Sequence, residues 1–395
     1  MGEKNIKDKE KKTLRVGIIG FGSMGKTHTY ALKNLPFYYP ELPFDVELVG
    51  VCTRTQEKSD AVARTFGFAR GVTNEDDLIF SDDIDIIDIC TPNILHHDTI
   101  MKALRAGKHI YCEKPMCISY AEAAEALELS KKCGKTYGMV FHNRFLAPML
   151  RAKQLIDEGR LGKLLSFRGE YLHSSASDTK KRAGWKQNRD ICGGGVLFDL
   201  GSHILDLVHY LCGDFETVSA KSQIAYPVRT GMDGNKWETN ADEAFYLIAS
   251  LSSGAVGTVT ASKIHTGTND DLSIEIYGEK GALRYSLMEP GWLYFYDGTA
   301  KDAPVGGERG FTRIECVGHF PEPGGVFPSP KAPVGWLMGH VTSYMNFLSA
   351  VYEGKTPSPD FSDGAYIQRL MESAYLSAKT GKTVNVNDFS YGDAQ

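Results

Sequence analysis

Among its eight cysteines the chain has no C-x-x-C pair. Cys52, Cys90, Cys112, Cys117, Cys133, Cys192, Cys212 and Cys316 are scattered, several inside apolar runs. That is the usage of free thiols in a reducing compartment, not of a disulfide scaffold or a redox centre. Basic residues are not in surplus either. The formal charge is −5, which gives no electrostatic reason to expect a nucleic-acid partner. No apolar run approaches a membrane span. Residues 1–13 are lysine-rich and polar, without the apolar core of a signal peptide, and read as a disordered tail. Internal repeats are absent. Together these absences predict a cytoplasmic protein with no membrane partner.

What remains is ordinary globular composition, 42% hydrophobic and 24% charged, over 395 residues. That length is enough for two domains with separate cores. The first third alternates strand-like and helix-like segments. Strands are predicted at 14–20, 46–52, 84–90 and 109–112, with helices at 26–34, 56–66, 97–105 and 120–133. Such alternation implies a parallel sheet with helices on both faces. The pattern changes after about Tyr137. Strand-like runs at 164–171, 218–224, 244–251, 255–262, 272–277 and 282–286 follow, several joined by hairpin-like turns. They predict a meandering, mostly antiparallel sheet, with a helix at 198–210 before most of it and two more at 340–352 and 366–380. The Pro/Gly-rich stretch 297–335 is too long for an ordinary connector and reads as an extended loop, a lip over the site.

The first chemical signal is Gly20-Phe21-Gly22-Ser23-Met24-Gly25, directly after the first strand. Gly20 permits the tight turn, Gly22 lets backbone approach a pyrophosphate, and Gly25 allows close helix packing. The helix N-terminus that follows offers free N–H groups to phosphate. At the end of the second strand an NAD site usually carries a carboxylate. Here the segment is Cys52-Thr53-Arg54-Thr55. Arg54 can accept a 2′-phosphate, which leans toward NADP, or stack on adenine in an NAD enzyme.

About ninety residues after the glycine fingerprint comes Tyr111-Cys112-Glu113-Lys114-Pro115, which places a lysine where such a sheet delivers it to a substrate. A third constellation runs from Gly193-Gly194-Gly195 through Asp199 to His203. Asp199 and His203 lie four apart, on one face of a helix, and a histidine beside a carboxylate is suited to acid/base work. Read without the upstream fingerprint, the same stretch is a helix start with Asp199 satisfying backbone donors. Two ligands do not make a metal site, so none is predicted. After Thr91-Pro92-Asn93, one of His96 and His97 is placed to contact the cofactor. Asn143, Arg144 and Trp185 stand near domain edges, where they serve either a substrate or the surface.

These motifs together resemble the Gfo/Idh/MocA oxidoreductases, over about residues 14–386. The distinctive parts are the glycine fingerprint, Thr91-Pro92-Asn93, Glu113-Lys114-Pro115, and the glycine-rich run into Asp199 and His203. Phe361-Ser362-Asp363-Gly364 is similar to the family's C-terminal region. The resemblance implies an α/β protein: an N-terminal Rossmann domain at 14–137, and at 138–395 an α/β domain built on a large open sheet that buries its face in a homo-oligomer, a dimer or tetramer. It implies NAD or NADP held by Gly20, Gly22, Ser23, Met24, Gly25, Thr53, Arg54, Thr91, Asn93, His96 and Glu113. Lys114 would polarise the reacting hydroxyl, His203 would take its proton, and Asp199 would bond a neighbouring hydroxyl of a polyhydroxylated substrate met also by Asn143, Arg144 and Trp185. The Lys114–Pro115 bond is often cis in such enzymes. The implied activity is oxidation of a secondary hydroxyl of a sugar, glycoside or cyclitol. The alternative is an internal redox cycle on tightly held NAD that cleaves a glycoside.

Overall fold

The computed structural model describes residues 11–317, 335–390 and 392. The first sheet is built from β1 (Lys12–Ile19), β2 (Phe44–Cys52), β3 (Arg70–Val72), β4 (Ile86–Ile89), β5 (His109–Cys112) and β6 (Tyr137–Met139). All neighbours pair parallel, in the order β3-β2-β1-β4-β5-β6. The helices between them are α1 (Ser23–Tyr38), α2 (Gln56–Phe66), α3 (Asp76–Ile79), α4 (His96–Arg105) and α5 (Tyr120–Cys133). Strand order reverses between β1 and β4, which opens a crevice at their carboxyl ends. The ends of α2 and α5 are set locally. Thr55 and Ser119 cap their first turns, and Gly67 and Gly134 close them in the left-handed region. β1 begins at Lys12, inside the predicted tail, because Lys12 and Thr13 pair with Phe44 and Asp45. Residues 1–10 lie outside the described residues.

After α6 (Ala147–Asp157) the chain enters a nine-stranded sheet through β7 (Leu164–Leu172). Helices α7 (Arg189–Cys192) and α8 (Ser202–Cys212) follow, then β8 (Phe215–Gln223) and the small hairpin β9 (Val228–Thr230) and β10 (Lys236–Glu238). β11 (Ala244–Leu251), β12 (Val256–Ser262), β13 (Asp271–Gly278), β14 (Gly281–Ser286), β15 (Trp292–Asp297) and β16 (Phe311–Glu315) complete the meander. Two long helices, α9 (Gly335–Glu353) and α10 (Phe361–Thr380), precede a last edge strand, β17 (Val384–Asn385). The order is β16-β15-β14-β13-β7-β12-β11-β8-β17, and only the β7–β12 pair is parallel. Alternation along β11 buries Phe245, Leu247 and Ala249 beneath the helices and leaves Tyr246 and Ile248 exposed on the open face.

Two expectations change. The stretch predicted as a loop at 297–335 contains β16, which pairs with β15 and lays Arg313 over the Trp292 ring at 3.8 Å. Residues 318–334 of that stretch lie outside the described residues. The helical run Arg189–Cys212 does have the length and mean hydropathy, 1.4, of a membrane span, and 83% of it is buried inside the protein as a core element. α9 crosses back to the first sheet, where Val341, Tyr344, Phe347 and Leu348 share a core with Val16, Ile18 and Tyr111.

Candidate active site

The crevice of the first sheet and the wall of the second form one cleft of about 1070 Å³. At one end lies the glycine turn. Gly20 has φ +94°, and a side chain there would strike the Cys90 carbonyl at 2.5 Å. A Cβ at Gly22 would meet no heavy atom within 4 Å, so this face of the turn is open to a ligand. α1 starts with no side-chain cap and no acidic residue in its first turn, leaving its N–H groups and partial positive charge free for an anion. This cradle fits the pyrophosphate of a dinucleotide. Ser23, Met24, Thr53, Arg54, Thr91, Asn93 and Glu113 line the same cleft. Thr53 turns its hydroxyl inward, to Ser59 Oγ at 2.8 Å and the Thr55 carbonyl at 3.3 Å. Arg54 and Lys58 are exposed at the cleft edge, and among the described residues no carboxylate pairs with either.

At the other end the chemistry gathers on Asp199. A π turn, Leu197–Gly201, feeds directly into α8 and carries Asp199, with His203 in the first turn of the helix. The turn is pinned from behind. Asp242 accepts from the Gly195 and Leu197 N–H groups at 3.1 and 3.2 Å, and Asp242 backbone packs where a Gly195 side chain would go. Lys114 Nζ donates to the Asp199 carbonyl at 2.8 Å and to Oδ1 at 3.3 Å, and the Lys114–Pro115 peptide is cis. Lys186 Nζ reaches both carboxylate oxygens, at 2.8 and 2.9 Å. Lys263 Nζ, at the end of β12, stands 2.9 Å from Oδ2.

Electrostatics follow from that crowding. Burial opposes ionisation of Asp199, yet the ammonium groups of Lys263, Lys186 and Lys114 outweigh it and hold the carboxyl well below its usual range. Burial pulls Lys114 below an ordinary lysine despite the Asp199 charge. Burial, with Lys114 nearby, drives His203 well below 6.5, so its ring is neutral. A neutral histidine and a lysine of lowered pKa, side by side, are a proton acceptor and a hydrogen-bond donor for one hydroxyl.

Several predicted residues lie elsewhere. Gly25 is buried against the Gly20 carbonyl within α1. His96 is fully buried, its ring nitrogens 2.9 Å from the carbonyl oxygens of Thr91 and Pro115, so it braces the loops rather than facing the cleft. Arg144 is not a substrate contact. It is 3% exposed and forms ion pairs with Asp206 and Asp363 at 2.5 and 2.9 Å. Asn143 is likewise buried and does not line the cleft. Trp185 does line it, 38% exposed. Asp199, expected to bond a substrate hydroxyl, has both oxygens engaged by lysines. Sequence reasoning missed Lys263 and, on the same wall, Asp270, whose Oδ1 accepts from Tyr171 and His173 at 2.7 Å each. Strand ends carry no local motif to reveal them. One trio, buried His28 and Asp88 with half-buried Cys90, groups possible metal ligands within 4.8 Å, and these atoms are hydrogen-bonded to one another.

Residues 14–141 match the family model described as an oxidoreductase NAD-binding Rossmann fold, and residues 153–386 match its C-terminal alpha/beta domain. The chain belongs to the Gfo/Idh/MocA oxidoreductase family. Its relatives include the levoglucosan dehydrogenase of Pseudarthrobacter phenanthrenivorans, 30% identical over 95% of this chain and 99% of that one. The glucose-6-phosphate 3-dehydrogenase of Bacillus subtilis is 26% identical over 94% of this chain and 99% of its own. Among solved structures, a levoglucosan dehydrogenase in complex with NADH and levoglucosan superposes with a TM-score of 0.91 at 29% identity, covering 95% of this chain and all of that one. As a member of the Gfo/Idh/MocA family the chain is an oxidoreductase, with the nucleotide cradle at Gly20–Gly25 belonging to its NAD-binding domain.

Proposed function

We propose that the chain is an NAD(P)-dependent dehydrogenase that oxidises a secondary hydroxyl of a sugar, glycoside or cyclitol to the ketone. The observation that carries this reading is Lys114, held by Asp199 beside a neutral His203, in a cleft continuous with the dinucleotide cradle. When bound, the nicotinamide supplies the hydride acceptor. Lys114 donates to the substrate oxygen and steadies the charge that grows there as the C–H bond breaks. His203 takes the hydroxyl proton. Asp199 fixes three ammonium groups whose remaining N–H bonds point donors at oxygen-rich groups, and Asp270 offers an acceptor on the facing wall. A polyhydroxylated ring matches that mixture. The sugar dehydrogenases among the relatives support the substrate class.

The NADH complex of a relative supports NAD on this scaffold. Arg54 and Lys58, with no carboxylate at the end of β2, favour acceptance of NADP as well. Eight free cysteines suit a cytoplasmic setting. Tyr246, Ile248 and Val256 stand exposed on the open face of β11 and β12, which suits burial against a second copy in a dimer or tetramer. Light scattering that finds only monomer removes that assembly.

The test of function is absorbance at the reduced-nicotinamide band while sugars, glycosides and inositols are screened with NAD and NADP separately. Reduction with any of them supports the reading. Nucleotide released on denaturation, with glycoside cleaved and no net reduction, replaces it with the internal redox cycle.

A further inference from the structure

Beside His203, and with His142 itself on the cleft lining, the structure gathers polar atoms that the chemistry above does not use. His142 and His340 stack face to face, ring centroids 3.7 Å apart and planes 18° off parallel. His142 also meets the His203 ring edge-on at 5.2 Å. Both rings are buried, 3% and 1% exposed. Among the described residues, neither nitrogen of either ring has a hydrogen-bond partner, nor do His203 Nδ1 and the amide atoms of neighbouring Asn143. Buried polar atoms so close together are rarely left unpaired, and the usual remedy is ordered water.

Charged groups around the pair are Lys114 and His28. His28 presents Nδ1 to Asp88 at 2.9 Å and Nε2 to Glu113 at 3.1 Å, and against the pull of burial Asp88 holds it as a cation. It lies 6.0 Å from His340. Burial, reinforced at His142 by His203, Lys114 and His28 and at His340 by His142 and His28, keeps both rings neutral. Each therefore offers water one donor and one acceptor. Half-buried Trp336 packs edge-on against both rings, and both it and His142 line the cleft.

We propose that His142 and His340 hold ordered water behind His203, and that this water relays the proton out of the site. The proposal rests on the dehydrogenase reading. His203 Nδ1 is buried, so Nε2 is the nitrogen available to the cleft. To accept there, the ring must carry its own proton on Nδ1, where no protein acceptor exists among the described residues. As the substrate O–H bond breaks, its proton binds Nε2; a bound nicotinamide would accept the hydride. The Nδ1–H bond then breaks toward water, and the ring is neutral again in its other tautomer. Because burial and Lys114 disfavour the His203 cation, the proton does not rest there. With His28 already charged, the onward path runs toward Trp336.

His340→Phe keeps the ring and its stacking while removing both nitrogens; His142→Phe is the second variant. We expect kcat for oxidation to fall roughly tenfold in each. KM and nucleotide Kd should stay unchanged, and the solvent isotope effect on kcat should rise. A crystal structure of the unmodified protein that resolves waters should show them bonded to both rings. A dry space there overturns the relay even where a variant fails to fold. Variants with normal kcat and an unchanged isotope effect, beside an active unmodified enzyme, overturn the relay alone. An unmodified enzyme that reduces neither nucleotide with any substrate overturns the dehydrogenase reading and the relay with it.

Discussion

Lys263 and Lys114 grip one carboxylate from opposite walls of the cleft: Lys263 Nζ is 2.9 Å from Asp199 Oδ2, and Lys114 Nζ is 3.3 Å from Oδ1. With Lys186 added, positive groups outnumber the carboxylate they share. An oxyanion forming on the substrate gains from that surplus in a water-poor site. The Lys263 side chain is 10% exposed and that of Lys186 is 47% exposed. Lys263→Met should therefore lower kcat roughly 10- to 100-fold, and Lys186→Met less, because water screens it. Steady-state kinetics of both variants decides; equal losses would contradict the burial argument.

Lys114→Ala removes the group proposed to polarise the hydroxyl. Turnover should drop by about 10²- to 10⁴-fold while the nucleotide still binds. Fluorescence titration with the reduced nucleotide measures the second half. Near-normal turnover would sink the role given to this lysine.

Arg54→Ala should weaken NADP binding roughly tenfold and leave NAD within a factor of about two. Competitive titration with both nucleotides checks it. Equal losses would show that Arg54 stacks on adenine instead of meeting a 2′-phosphate.

Acid should destabilise the fold through its neutral histidines. Burial first, then Lys135 and Lys12, bring His109 down to about 4, and its Nδ1 accepts from the Thr136 N–H at 3.0 Å. His142, His203 and His340 are shifted the same way. Unfolded, these rings take a proton near pH 6.5. Between about pH 6.5 and 4 the unfolded chain thus binds more protons, and unfolding free energy falls with pH. His28, raised by Asp88, opposes this: its contribution is present below 6.5 and lost as pH rises through its folded value. Asp206, Asp242 and Glu372, raised by burial, oppose it as well, while burial lowers His96 and His209 with the other rings, so six lowered histidines against four raised groups set the net sign. Tm should fall from pH 7 to pH 5 in a thermal melt, and a flat profile would refute it.

Arg144→Met leaves Asp206 buried without its cation. Burial already raises Asp206 to about 7 against the pull of Arg144. The loss should be about 3–5 kcal/mol, read as a shift in the urea midpoint. Stability unchanged within error would show that water reaches the carboxylates.

Local signals made much of this legible. Thr55 to Gly67 and Ser119 to Gly134 each carry a cap, a periodic stretch and a terminating glycine, and the helices run as predicted. β3 was missed because three residues, Arg70–Val72, are too few for a period to show. Gly20, Lys114, Asp199 and His203, which the structure brings to one cleft, each sit in a contiguous motif. Lys263 and Asp270 have no such neighbours; they meet the site only because β12 and β13 flank β7. Arg144 was misread for the converse reason. Its acidic partners, Asp206 and Asp363, are remote in sequence, so a charged residue destined for burial looked like one reaching outward.

The return of α9 to the first sheet has a consequence for how the protein is made. Tyr344 donates to Asp88 at 2.7 Å and its ring lies 4.4 Å from that of Tyr111, so the nucleotide half is finished by a helix that follows Asp88 by 256 positions at this contact. Until it emerges, Tyr111 and the His28–Asp88 pair stand uncovered. A growing chain that has not reached α9 thus carries a six-stranded platform lacking part of its own interior, and nucleotide capture waits on that helix.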